Sequence, residues 1–458
     1  MVLLEICLAI LIGAVLIYKW STATHNAFDG RGIYFEKPSP FFGNMVASFL
    51  GRKSFPRQLS EFYQRTKKHK IVGLFSLRSA MIQLNDPEII KKICIKDFDH
   101  FPNHQAFAQS NELLVNDMLT VMRDQRWKHM RNTLTPVFTA AKMRSMFALM
   151  GDSFGECLDH LSGLSKGTTA EVGVELDMKV LCNKLSNDLI ATTAFGLKVN
   201  SFETPNNEFY QIGQSVTFGS GSQLFKFMLA TLLPKVFRFF KLKIFDAQKV
   251  EYFVRLVVDA MKLALLCTTS LELLENPDIQ QRLYEEVKEV QESLKGGPLT
   301  YDAVQKMKYM DMVISESLRK WTLAVATDRL CSKDYTLIDD DGTKLFEFKV
   351  GDQVSVPINA LHWDEEYFPE PLKFDPERFS DERKQDIVPY TYLPFGVGPR
   401  NCIGSRYALM QVKGIFYNLL IRYKIERSPK TVKDLYAQQR GFTIAPKGAF
   451  WMRLVPRQ

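Results

Sequence analysis

The chain has 458 residues, of which 46% are apolar and 24% charged, with a formal net charge of +8. That length supports a large core in one big domain or two, and the composition is ordinary for a globular protein. The modest positive charge fits plain solubility, or a basic face for an acidic partner or an anionic membrane; no basic run interleaved with aromatics argues for nucleic acid. Seven scattered cysteines (Cys7, Cys94, Cys157, Cys182, Cys267, Cys331, Cys402) lack CxxC spacing. They argue against a disulfide framework and structural zinc, and for a reducing compartment.

Residues 2–18 are almost wholly apolar, broken only by Glu5 and ended by Lys19 and Trp20. The run is about long enough to span a bilayer. With no charged segment before it and no small-residue cleavage site after it, a retained anchor is expected rather than a cleaved signal peptide. Lys19 puts the rest of the chain on the cytoplasmic side. A buried core helix is the other reading of such a run. Residues 1–20 are thus expected to form a membrane anchor, 21–44 a linker ending in the proline hinge Lys37–Asn44, and 45–458 the main domain.

Ile71–Phe75 and Met81–Leu84 predict two strands around an Arg78-Ser79 turn. Asp86-Pro87 predicts a capped helix start. Residues 101–122 predict a long loop, with Phe101 and Phe107 as apolar side chains for a pocket. Asp124 opens a helix on which Trp127 and Arg131, four apart, share a face and together suit a carboxylate. Arg123, Arg126 and Lys128 add positive charge to that helix. Residues 139–195 predict helices, and the apolar stretch 225–240 suits core, substrate channel or membrane contact. Residues 246–275 predict one continuous amphipathic helix, with Asn276-Pro277-Asp278 capping the next.

Glu316 and Arg319 sit at i, i+3 on a helix over 311–320. Trp321–Val325 leads into strand-like segments that include Arg329 and Val354–Pro357. Asp339–Gly342 predicts a turn. The segment Phe374-Asp375-Pro376-Glu377-Arg378-Phe379 comes next. The stretch Phe395-Gly396-Val397-Gly398-Pro399-Arg400-Asn401-Cys402-Ile403-Gly404 then places one cysteine in a glycine-rich loop. It stands just ahead of an amphipathic helix over 405–423. Helix dipole and free N–H groups there are expected to lower the thiol pKa. The glycines let the backbone approach something flat. A thiolate in such a loop suits axial ligation of a haem iron, and a buried structural cysteine is the alternative.

Phe395-x-x-Gly398-x-Arg400-x-Cys402-x-Gly404 resembles the haem-ligand loop of the cytochromes P450. The resemblance covers the chain from the hinge onward, and the wording of 328–331, 373–379 and 389–394 is most similar to insect microsomal P450s of the detoxification clade. It implies a mainly α fold with minor β, on an N-terminal transmembrane anchor, holding haem b with Cys402 as thiolate ligand. It further implies that Trp127, Arg131, Arg329 and Arg400 hold haem propionates, with His104 as a looser candidate. Glu316, Arg319 and Arg378 would form a buried charge network behind the haem. Phe107, Leu323, Ala324 and Phe442 would line the substrate pocket, Phe442 from a last hairpin over 441–446. The implied partners are NADPH–cytochrome P450 reductase, cytochrome b5, a lipophilic substrate and the endoplasmic reticulum membrane, with the catalytic domain on its cytoplasmic side.

The sequence departs from the family in two places. Thr322 stands where the family usually has proline. The family's acid–alcohol pair, which relays protons above the haem, should fall near 257–261, counting back from Asn276. This chain has Val257-Val258-Asp259-Ala260-Met261, with Ala260 at the acid position and Met261 at the threonine position. Asp259 would point about 100° away around the helix, and Thr268 and Thr269 lie roughly two turns too late. The chain reads as lacking several dozen residues near 262–263, so no residue is expected to carry distal proton delivery. Two functions are then open: a haem-thiolate monooxygenase of lipophilic molecules, or a truncated haem-binding relative with impaired or absent activity. An electron-transfer haem protein is disfavoured by the apolar anchor and the pocket-like loops.

Overall fold

A Leu77-Arg78 turn joins strands β1 (Ile71–Ser76) and β2 (Ser79–Leu84) into a tight hairpin, and Leu77 takes a left-handed conformation (φ 54°). The computed structural model describes residues 2–105, 117–166, 173–205, 207, 210, 226, 229, 237, 239–240, 262–435 and 448–457. Before the hairpin lie α1 (Val2–Thr22), α2 (Val46–Phe49) and α3 (Phe55–Thr66). α1 has a mean hydropathy of 2.4 over its most apolar window and is exposed. Among the described residues it is the helix long and apolar enough to cross a membrane. Residues 21–44 are packed rather than free. Phe28 is buried against Phe35 and Phe75, and Arg31 forms a two-pronged ion pair with Asp352 at 2.6 and 3.0 Å.

After the hairpin, Asp86 caps α4 (Pro87–Lys91) by accepting from the Glu88 and Ile89 N–H groups, at 2.9 and 3.0 Å. A π-helical turn, Lys92–Lys96, continues it. Next come α5 (Asp124–Leu134), α6 (Ala140–Ser165), strand β3 (Val174–Asp177) and α7 (Met178–Phe195). β3 interrupts a stretch whose periodicity reads as helix throughout; four residues are too few to register a period of two. Its partner β9 (Trp451–Pro456) lies at the far end of the chain.

Residues 262–275 are helical (α8), followed by α9 (Pro277–Ser293), α10 (Tyr301–Lys306) and α11 (Lys308–Lys320). Asn276 does not cap α9 as expected. Its side-chain amide turns back and donates to the Glu272 carbonyl at 2.8 Å. Strands β4 (Thr327–Leu330), β5 (Tyr335–Ile338), β6 (Lys344–Phe348) and β7 (Gln353–Val356) precede α12 (Ile358–His362), α13 (Ser405–Leu420) and β8 (Tyr423–Glu426). One sheet has the order β1-β2-β7-β4, with β2 and β7 parallel; β3-β9-β8 and β5-β6 form two more.

The helices enclose one apolar cluster and the sheet another. In the first, Gly414 of α13 lets the Phe154 ring of α6 come so close that a Cβ would stand 2.7 Å from it. The helices and the four-stranded sheet thus pack as separate cores, and the stretch Leu323–Val325 runs between them.

Candidate haem-thiolate site

Cys402 is tethered before any cofactor is considered. Its N–H donates to the Phe395 carbonyl at 2.8 Å, closing the loop on itself. Gly396 and Gly398 carry φ of 78° and 71°, which residues with a Cβ rarely adopt. A Cβ on Gly398 would overlap the Cys94 carbonyl oxygen, so this glycine allows close contact with the π-helical turn rather than with a flat ligand.

The thiol is half-buried, and its pKa moves opposite to the expectation. Burial pushes it up, outweighing the Gly404 N–H and the Arg131 charge, which pull it down. The loop alone therefore does not prepare a thiolate; a coordinated metal ion deprotonates a thiol outright.

Three guanidinium groups surround this loop. Arg329, from β4, is fully buried and donates to the Val397 carbonyl at 2.8 Å and the Asp328 carbonyl at 2.6 Å, while its Nε has no partner among the described residues. Arg400 donates to the carbonyls of Pro102 (2.8 Å), Leu119 (3.2 Å) and Met122 (3.0 Å), and to Asn103 Oδ1 (3.1 Å). Burial, with Arg329 beside it, pushes Arg400 down to about 9. Arg131 grips Asn401 twice, at the backbone carbonyl and at Oδ1, both at 2.7 Å.

The Trp127–Arg131 face is only partly as expected. The guanidinium stacked on the Trp127 ring is that of Arg400, 3.9 Å from the centroid. Spacing along α5 says which side chains share a face; it does not say that a third element will occupy it. His104 pairs with Asp328 at 3.0 Å.

Among the described residues none of these three arginines forms an ion pair with a carboxylate. Arg329 and Arg400 are buried, and buried cations are ordinarily paired. An unpartnered Nε, an arginine whose pKa is depressed by burial and a tethered cysteine together fit a ligand that carries negative groups at one edge and a metal at its centre. Haem, with two propionates, is such a ligand.

Behind the loop, Glu316 and Arg319 of α11 form a fully buried bidentate pair, both contacts at 2.7 Å. Arg378 approaches the same carboxylate at 3.6 Å, and the Asp375 N–H donates to it at 3.0 Å. Arg319 also donates to the carbonyls of His362 (2.9 Å) and Pro371 (2.8 Å).

Leu323 packs on the helical core and Ala324 on the sheet core, both half-buried. Phe101 is fully buried, edge-on to Tyr335 and Phe348. It belongs to the sheet core and not to a pocket, because β5 and β6 bring aromatics to it from over 200 residues away. Phe107, Phe442 and residues 257–261 lie outside the described residues.

Sequence reasoning passes over Asn103, Asn401 and His362. Asn103 accepts from the Asp124 N–H at 2.9 Å as well as from Arg400. Asn401 stands inside the motif between Arg400 and Cys402, so its position is a usable signal; nothing local marks the other two.

The cytochrome P450 family profile matches residues 34–256 and 264–453. Cytochrome P450 9b2 of Drosophila melanogaster is 62% identical over 505 aligned positions, covering the whole of both chains; this chain contributes 458 residues to that alignment. Cytochrome P450 9e2 of Blattella germanica is 35% identical over 96% of each chain. Cytochrome P450 3A41 of Mus musculus is 29% identical, covering 97% of this chain and 95% of the mouse protein. With a tethered cysteine, convergent arginines and these relatives, the chain belongs to the cytochrome P450 monooxygenase family, whose cofactor is a haem iron ligated by a cysteine thiolate.

Proposed function

We propose that Cys402 supplies that ligand and that the protein oxidises lipophilic small molecules with electrons from NADPH–cytochrome P450 reductase, cytochrome b5 serving as a second donor. Arg329, Arg400 and Arg131 hold the haem's carboxylates, and Trp127 holds Arg400 in plane. When bound, haem supplies the activation of dioxygen for insertion into a C–H bond. Leu323 and Ala324 shape the apolar side of the pocket, together with Phe107 and Phe442. Helix α1 anchors the domain to the cytoplasmic face of the endoplasmic reticulum. The observation that carries this reading is the convergence on the Cys402 loop of the buried Arg329 and Arg400, which have no carboxylate partner among the described residues.

A second reading, impaired oxygen activation in this chain, is favoured by three observations. The family profile breaks between residues 256 and 264. The alignment with the Drosophila relative is longer than this chain. And Lys262, typical of a surface helix, is buried at the head of α8 with its Nζ 2.6 Å from Gln411 Oε1. Burying an ammonium group is costly even when it is hydrogen-bonded. The Thr268 hydroxyl, which could stand in for the missing alcohol, donates to the Ala264 carbonyl at 2.9 Å.

Proton transfer by a placed acid is worth about 10²–10⁴ in rate. With reductase and NADPH in lipid vesicles, most of the NADPH consumed should therefore appear as hydrogen peroxide. The double variant Ala260→Asp/Met261→Thr should not restore product formation if the helical segment that would carry the pair is absent. Coupled turnover by the native chain would overturn the impaired reading; coupled turnover by the double variant alone would mean that the helix is altered only at two side chains.

A further inference from the structure

His362 and Thr322 form a buried hydrogen-bonded relay between α11 and the segment that leads into the Cys402 loop. The Leu393 N–H donates to His362 Nε2 at 2.8 Å. An amide nitrogen cannot accept, so Nε2 must present its lone pair. In a neutral imidazole the proton then sits on Nδ1. Nδ1 lies 2.8 Å from the Thr322 hydroxyl, which in turn lies 3.0 Å from the Arg319 carbonyl. Nδ1–H then donates to Thr322 Oγ1, with the Arg319 carbonyl a longer second acceptor at 3.3 Å, and the Thr322 O–H donates to the same carbonyl. Both side chains are fully buried, and Tyr392 stacks on the imidazole at 5.4 Å. Burial and the neighbouring Arg319 charge push the His362 pKa down to about 3, so the ring stays neutral.

The relay continues through the backbone. The Leu393 carbonyl accepts from the Gly396 N–H at 3.0 Å, and the Phe395 carbonyl between them accepts from the Cys402 N–H at 2.8 Å. Thr322 follows the helix carrying the Glu316–Arg319 pair, and Arg319 itself holds the His362 carbonyl. One end of the relay is therefore fixed to the most buried charge pair described, and the other to the turn that positions the ligand.

We propose that Thr322 and His362 are positioning residues that set the Cys402 loop for metal ligation, with Thr322 anchoring the Nδ1–H edge of the imidazole whose Nε2 accepts from Leu393. The proposal rests on Cys402 as the ligand. Thr322 is a departure from the family's usual proline, which has no hydroxyl; this chain thus orients His362 by a contact that a proline could not make.

The test is hydrogen–deuterium exchange followed by mass spectrometry on the full chain, comparing Thr322→Val with Thr322→Ser. Valine keeps the shape and removes the hydroxyl; serine keeps the hydroxyl. Exchange in the peptide spanning 389–402 should rise about fivefold in Thr322→Val, the effect of losing one ordinary hydrogen bond. It should return to the native rate in Thr322→Ser, with the β1–β2 hairpin unchanged in both. In haem-loaded preparations, Thr322→Val should also enlarge the blue-shifted, neutral-thiol share of the reduced, CO-bound Soret band. Unchanged exchange in 389–402, an equal rise in the hairpin, or no recovery with serine would overturn the proposal. Exchange is readable with or without haem, so a chain that fails to hold haem would count against the ligand reading and leave this test standing.

Discussion

Arg319→Ala should be the most destabilising single substitution at the site, by about 3–5 kcal/mol, the usual cost of breaking a buried ion pair from one side. The substitution removes both 2.7 Å contacts to Glu316 and the bonds to the carbonyls of His362 and Pro371. It leaves a fully buried carboxylate with the Asp375 N–H at 3.0 Å and Arg378 at 3.6 Å. Set against a typical total stability of about 5–15 kcal/mol, that loss should prevent accumulation of folded protein at growth temperature. Arg319→Lys should not rescue it, because an ammonium group cannot reproduce the planar fork that meets both carboxylate oxygens. The comparison is Arg65→Ala, which breaks an exposed pair with Glu36 at 2.8 Å and should cost at most about 1 kcal/mol. Denaturation midpoints for the two variants that coincide would show that the buried pair does not hold this region together.

Cys402→Ala should abolish the haem-thiolate spectrum while leaving the fold in place. The side chain is half-buried, and the loop is closed by the Cys402 backbone N–H, not by its sulfur. Alanine retains that N–H, so the loop keeps its tether and loses only the ligand. The arginines remain to attract haem, so some haem is expected to bind without thiolate character. Circular dichroism should match the native chain, and the reduced, CO-bound band at the red-shifted position should be absent. A thiolate-type band in this variant would assign the ligand to another cysteine. The remaining buried thiols are poor substitutes: burial drives the pKa of Cys94 and Cys267 upward and that of Cys157 up to about 12.

The parts of this architecture that can be read from the sequence are those written in local spacing. The Cys402 loop, the Asp86 cap, the β1–β2 hairpin and the Glu316–Arg319 pair each occupy a few consecutive residues whose chemistry fixes the geometry. Local spacing misleads where elements far apart in the chain meet. Phe101 reads as a pocket residue until β5 and β6 close over it. Trp127 reads as the partner of Arg131 until Arg400 arrives from 273 residues away. A helix terminus alone argues for a lowered thiol pKa, and burial, which only the folded chain creates, is the larger effect. His362 carries no motif of its own; its role depends on Thr322 and Leu393 meeting it from either side.

The Cys402 pocket should assemble in this chain even with the shortening proposed for the segment near 262–263. Among the described residues, the contacts that tether the loop come from residues 94–131, 319–330, 362 and 393–404. The reduced, CO-bound absorption spectrum of the unaltered 458-residue chain tests this directly. A Soret band at the red-shifted thiolate position is the predicted result. A blue-shifted band, or a protein that emerges without haem, would contradict it and show that the pocket needs the central helix in order to form.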